Sequence, residues 1–120
     1  MYAFPYATLN AYNKKTNIYS VRFNEPVRKA FDGAKYCLVR VTNDGKYIVF
    51  IPQHGGLEEK TAMNSRICDD KSHGIRVSLN KYVSSGTIKR SLFGKRYKVK
   101  KDKRGYIYVC LEEPVEGVGE

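Results

Sequence analysis

A chain of 120 residues, 42% hydrophobic and 12% aromatic, is long enough to bury one modest core and too apolar to remain disordered. Its 22 Lys/Arg against 12 Asp/Glu leave a net charge of +10, which makes a polyanion the first partner to consider. Three cysteines without C-x-x-C spacing argue against a disulfide framework, and the absence of an apolar run near the roughly 20 residues of a membrane span argues against insertion, so a cytoplasmic protein without membrane contact is expected.

The segment Tyr2–Tyr12 is aromatic-rich with Pro5 inside it, which predicts an edge strand or an arm. Ile18–Phe23 alternates with the strand period. Asn24, Glu25 and Pro26 then read as a helix start, with Val27 and Phe31 on one face and Arg28 and Lys29 on the other. Asp32-Gly33 supplies the stop. Ala34–Thr42 is a second strand, Asn43–Lys46 a hairpin turn, and Tyr47–Ile51 a return strand that Pro52 ends.

The second half repeats this order. Ile75–Leu79 is a strand and Asn80 stands where Asn24 stood. A helix is expected over Thr87–Phe93, then strand Lys95–Lys101, turn Asp102–Gly105 and strand Tyr106–Leu111. The repeats span 18–52 and 75–111, with about five extra residues near Lys81–Ser85 in the second. Residues 53–74 read as a polar linker in which Leu57–Ile67 forms a surface helix, and 112–120 as an acidic tail. The expected fold is mainly β: one small barrel-like domain over 1–120, built from two strand–short helix–strand–hairpin units.

This layout, from Val21-Arg-Phe-Asn-Glu-Pro-Val-Arg-Lys29 through Val41-Thr-Asn-Asp-Gly-Lys-Tyr-Ile-Val-Phe-Ile-Pro52, resembles the AbrB/MazE-like swapped-hairpin domain, with 75–111 similar to a second, degenerate copy. The resemblance implies two units intertwined into a small barrel that binds DNA. Two copies on one chain imply an internal pseudo-dimer of swapped-hairpin or double-psi kind, as a monomer or a homodimer.

Catalytic and metal chemistry find little to work with. His54, Cys68 and His73, beside Asp69 and Asp70, fall short of a closed four-ligand zinc set, and no Ser or Cys stands in a recognisable nucleophile motif. A non-enzymatic protein without metal or cofactor is expected. Charge is uneven: residues 75–104 carry 11 Lys/Arg against 1 Asp/Glu, whereas 105–120 carry 4 Asp/Glu and no Lys/Arg. Alternation on Lys95–Lys101 puts Arg96, Lys98 and Lys100 on one face, about 6.6 to 6.8 Å apart, close to the phosphate repeat of one nucleic-acid strand. Lys89, Arg90, Lys103 and Arg104 extend this patch, and Arg22, Arg28, Lys29 and Arg40 form its counterpart in the first repeat. Tyr36, Tyr47, Tyr97, Tyr106 and Tyr108 are expected to pack across strands rather than stack on bases. The expected function is nucleic-acid binding, duplex DNA favoured, as a small regulator. The alternative is a phage or mobile-element protein, such as an anti-CRISPR, that inhibits or adapts a nucleic-acid-handling enzyme by protein–protein contact.

Overall fold

Side-chain alternation decides the strands. In Ile18–Phe23 the ring of Phe23 and the side chain of Val21 are fully buried while Arg22 between them stays half-exposed. In Lys95–Lys101, Tyr97 and Val99 point in, and Lys98 and Lys100 point out. A computed structural model describes residues 4–12, 18–54, 64–70 and 74–115. Its strands are β1 Tyr6–Tyr12, β2 Ile18–Phe23, β3 Tyr36–Val41, β4 Tyr47–Gln53, β5 Asn64–Asp70, β6 Gly74–Ser78, β7 Lys95–Lys101 and β8 Ile107–Pro114. The described residues also form two short helices, α1 (Glu25–Phe31) and α2 (Asn80–Ser84), and a 3-10 turn at Arg90–Leu92.

The strands close into a barrel in the order β1-β2-β6-β5-β3-β4-β8-β7, with every neighbouring pair antiparallel. An eight-stranded barrel has an interior that side chains just fill. Phe23 sits against Phe31 at 5.1 Å and Phe50 at 5.0 Å between ring centroids. Leu9, Ile48, Val77, Tyr97, Ile107 and Val109 pack around them.

Replacing each strand by the one four later in the chain leaves this ring of neighbours unchanged. The registers behave likewise. Val21 pairs with Val77, 56 positions on, the same offset that separates Asn24 from Asn80. Val49 pairs with Tyr108, 59 positions on, the offset between Tyr47 and Tyr106. A pseudo-dyad therefore crosses the barrel through two opposite walls, at Val21–Val77 and at Val49–Tyr108. It exchanges the two ends. The end where β2 finishes is closed by α1 through Val27 and Phe31; the other is closed by α2 and the segment after it, through Val83 and Ile88.

Three expectations are corrected. Tyr6–Tyr12 is not an edge or an arm, because β1 pairs with β2 on one side and β7 on the other. Pro5 precedes the strand, so it removes no ladder donor, and its carbonyl accepts from the Val99 N–H. Second, residues 64–70 of the expected linker form β5; the helix expected over Leu57–Ile67 lies partly outside the described residues, and its described part is strand. Third, the helix of the second repeat lies at 80–84, within the extra residues, rather than at 87–93. Gly86, with φ +81°, breaks it, and Lys89 is extended.

The first repeat matches more closely. Asp32 and Gly33 take left-handed conformations after α1, and Gly45 does so in the hairpin turn. Asn24 occupies the helix N-cap position but bonds elsewhere: its Oδ1 accepts from the Tyr6 N–H at 3.0 Å and its Nδ2 donates to the Phe4 carbonyl at 2.9 Å. Asn80 Oδ1 similarly accepts from the Tyr19 N–H at 2.6 Å. Both asparagines fasten strand backbone instead of capping helices.

Candidate nucleic-acid interface

Outward positions on the five consecutive strands β7, β1, β2, β6 and β5 form a cationic wall. β7 contributes Arg96, Lys98 and Lys100, β2 contributes Arg22, β6 Arg76 and β5 Arg66. The registers align several of these. Arg96 lies opposite Thr8, Thr8 opposite Arg22, Arg22 opposite Arg76 and Arg76 opposite Cys68, giving one row across the five strands. With strands about 4.8 Å apart, Arg96 and Arg76 mark out roughly 14 Å of this row. Arg96 also lies over the Tyr6 ring, 5.7 Å from its centroid.

Two grooves run along the wall and share Arg22. One, of about 700 Å³, is lined by Ile18, Tyr19, Ser20, Arg22, Ser65, Arg66, Cys68, Arg76, Ser78, Asn80 and Lys81. The other, of about 400 Å³, includes Tyr6, Thr8, Asn10, Asn24, Glu25 and Arg96.

The expected basic residues do not make one continuous patch. Arg22, Arg96, Lys98 and Lys100 share the wall. Arg28 and Lys29 on α1, with Lys103 and Arg104 in the β7–β8 turn, lie at the α1 end of the barrel, whereas Lys89 and Arg90 lie at the α2 end. Antiparallel strand direction is the reason: the matching helical segments of the two repeats follow strands that run in opposite senses. Arg40 is on β3, outside the five-strand wall, and donates to the Val39 carbonyl at 3.0 Å.

Several candidates also have carboxylate partners. Arg28 lies 3.3 Å from Glu25 and 3.1 Å from Asp69. Lys100 lies 3.4 Å from Glu113, whose hydrogen bond and charge raise the lysine pKa. Arg104 is held most firmly. Its Nε and Nη2 donate to Asp102 Oδ2 at 3.1 and 2.8 Å, and its guanidinium lies 4.1 Å from the Tyr106 ring centroid. Burial opposes ionisation of Asp102, but hydrogen bonds from the Arg104 side chain, the Tyr106 N–H, the Tyr108 hydroxyl and the Arg104 N–H outweigh it and hold the carboxyl at about 2. These contacts build a rigid turn and engage Arg104 within it.

Arg66, Arg76 and Lys81 were not among the sequence candidates. Arg66 was hidden in the supposed linker, and the significance of Arg76 depends on β2 pairing with β6. The tyrosines pack largely as expected. Tyr97 is buried with its hydroxyl donating to the Leu92 carbonyl at 2.6 Å, and Tyr47 meets Tyr108 edge-on at 5.8 Å.

Among the described residues no group of three or more His, Cys, Asp or Glu side chains converges as a metal site; His73 lies outside them. No described helix is long and apolar enough to cross a membrane. Comparisons with protein-family models, curated proteins and solved structures find no match to this chain.

Proposed function

We propose that this protein is a non-enzymatic nucleic-acid-binding protein, and that the wall β7-β1-β2-β6-β5 holds phosphates. The observation that carries this reading is the cross-strand row Arg96–Thr8–Arg22–Arg76, with Lys98 and Lys100 continuing along β7. Like charges set opposite one another in an antiparallel pair are unfavourable in the free protein, and a polyanion relieves that repulsion. Phosphate contacts of this kind give affinity without sequence information. The sequence pattern by itself suggests a duplex-binding regulator of AbrB/MazE-like type, but Arg22 and Arg76 have serines, Ser78 and Ser20, at their pseudo-dyad-related positions, so the wall lacks the two-fold cationic pattern that a symmetric operator would meet.

Fluorescence anisotropy with random-sequence duplex DNA, single-stranded DNA and duplex RNA tests the reading. About four phosphate contacts predict a roughly 100-fold loss of duplex affinity between 50 and 200 mM salt. Replacing both Lys98 and Lys100 by Glu weakens binding further. Unchanged affinity in that variant removes Lys98 and Lys100 from the site. No binding to any of the three at low salt overturns the proposal and assigns the charge to a protein partner.

A further inference from the structure

The pseudo-dyad emerges on the cationic wall inside the 700 Å³ groove, and the residues around it differ from a generally basic surface. The Leu79 N–H donates to the Tyr19 carbonyl at 2.9 Å, so Tyr19 and Leu79 form a hydrogen-bonded pair. Counting along the register, Ser20–Ser78 and Arg22–Arg76 are non-hydrogen-bonded pairs, the type whose side chains stand closer. Two guanidinium groups and two hydroxyls thus flank the Val21–Val77 pair. Arg66 comes from β5 beside them.

Three further observations point to an anionic ligand. Among the described residues that line this groove there is no carboxylate. The ion pairs among the described residues include neither Arg66 nor Arg76. The Ser20 hydroxyl is closed off from solvent, whereas Ser78 is exposed, so Ser78 is the hydroxyl a ligand can meet. Phosphate oxygens suit both halves of this cluster, since guanidinium forks bind them in paired fashion and hydroxyls donate to them.

Groove size and barrel shape select among phosphate ligands. A volume of about 700 Å³ fits a ligand of a nucleotide or two, within the range of small-molecule clefts. A duplex is commonly read by a helix or a two-stranded ribbon inserted into its groove, whereas this wall is the outside of a closed barrel. We propose that the groove seats the backbone of one unpaired nucleic-acid strand, with a phosphate between Arg22 and Arg76 and the exposed Ser78 hydroxyl donating to it. This rests on the nucleic-acid reading above and specifies the form of nucleic acid.

Cys68 provides the test. It lines the groove opposite Arg76 and is exposed, whereas Cys37 and Cys110 are buried. Unpaired DNA and RNA of about 12 nucleotides, within the span of known single-strand sites, are titrated beside a duplex of equal length. Iodoacetamide alkylation of Cys68 is followed by mass spectrometry in the same samples. The unpaired strands are expected to bind more tightly than the duplex and to protect Cys68, with DNA and RNA compared as separate arms. Arg76→Gln is expected to weaken unpaired-strand binding about tenfold and to lower the salt slope by about 0.7. A preference for duplex overturns the inference. So does strand binding that leaves Cys68 alkylation and the Arg76→Gln affinity unchanged while the Lys98/Lys100 variant fails; that result keeps the wall and rejects the groove. Protection by inorganic phosphate or a mononucleotide, but by no oligonucleotide, also rejects it. Absence of all nucleic-acid binding overturns both proposals.

Discussion

Arg76→Gln should make the free protein more stable, because Arg22 and Arg76 repel. In a non-hydrogen-bonded pair the Cα atoms stand about 4.5 Å apart, which lets the two outward charges come to within roughly 6 Å of one another. In water that separation corresponds to about 0.7 kcal/mol of repulsion. Screening leaves about 0.6 kcal/mol near 10 mM salt and about 0.1 kcal/mol at 1 M. Glutamine retains much of the side-chain length and removes the charge. With an unfolding entropy of about 2.1 cal/mol/K per residue, the chain gains roughly 2 °C in Tm at low salt and under about 0.5 °C at high salt. Parallel melts of both proteins followed by circular dichroism measure the difference. A lower Tm at low salt, or an increase that salt does not reduce, refutes the repulsion argument. The expected pairing of higher stability with weaker binding also separates a ligand-site effect from misfolding.

Phe23→Ala removes the fully buried ring that touches Phe31 and Phe50 and should cost about 3 to 5 kcal/mol in urea unfolding; a loss under about 1 kcal/mol would contradict the core assignment. Gly74→Ala should cost at least about 2 kcal/mol, since φ is +90° and a Cβ would run into the Phe23 carbonyl oxygen. Gly45→Ala, in open space at φ +72°, should cost only about 1 to 2 kcal/mol, and equal losses at the two sites would argue against that close approach. For Asp102→Asn the sign follows from the depressed carboxyl pKa: ionised Asp102 stabilises the fold above about pH 4, and its contribution disappears as pH falls through about 2. The Tm gap between wild type and Asp102→Asn should therefore be present at pH 6 and close toward pH 2. A gap constant with pH would assign the effect to something other than this charge.

Where local chemistry dictated structure, the sequence was readable. The alternating pattern around Val21 and Phe23, the Asp32-Gly33 stop and the Asp44-Gly45 turn each specify their own conformation, and all three form. β5 was different because its buried positions are partly polar. Asn64 and Ser65 are 2% and 3% exposed. Their polar groups are satisfied by distant residues: Asn64 Nδ2 donates to Gln53, the Asn64 carbonyl accepts from Lys81 Nζ, and the Ser65 hydroxyl bonds that of Tyr82. Nothing near Asn64 in the chain signals that pairing, so the segment read as linker. The same omission hid the candidate groove. The cations on β7 follow from alternation alone, but placing Arg22 opposite Arg76 requires knowing which strands are neighbours and in what register.

β1 gives the barrel a particular assembly order. Tyr6 pairs with Lys98, 92 positions later, while residues on the other side of the same strand pair with β2 close by. During synthesis the β1–β2 hairpin therefore exposes an unpaired flank until β7 has emerged, and the ring closes only when β8 has followed and paired with β7 and β4. Without β1, the remaining seven strands would expose β2 and β7 as the lips of a slot one strand wide. Such a slot is a template for donor-strand complementation, and an added peptide carrying the alternation of Tyr6–Tyr12 would be the natural strand to fill it.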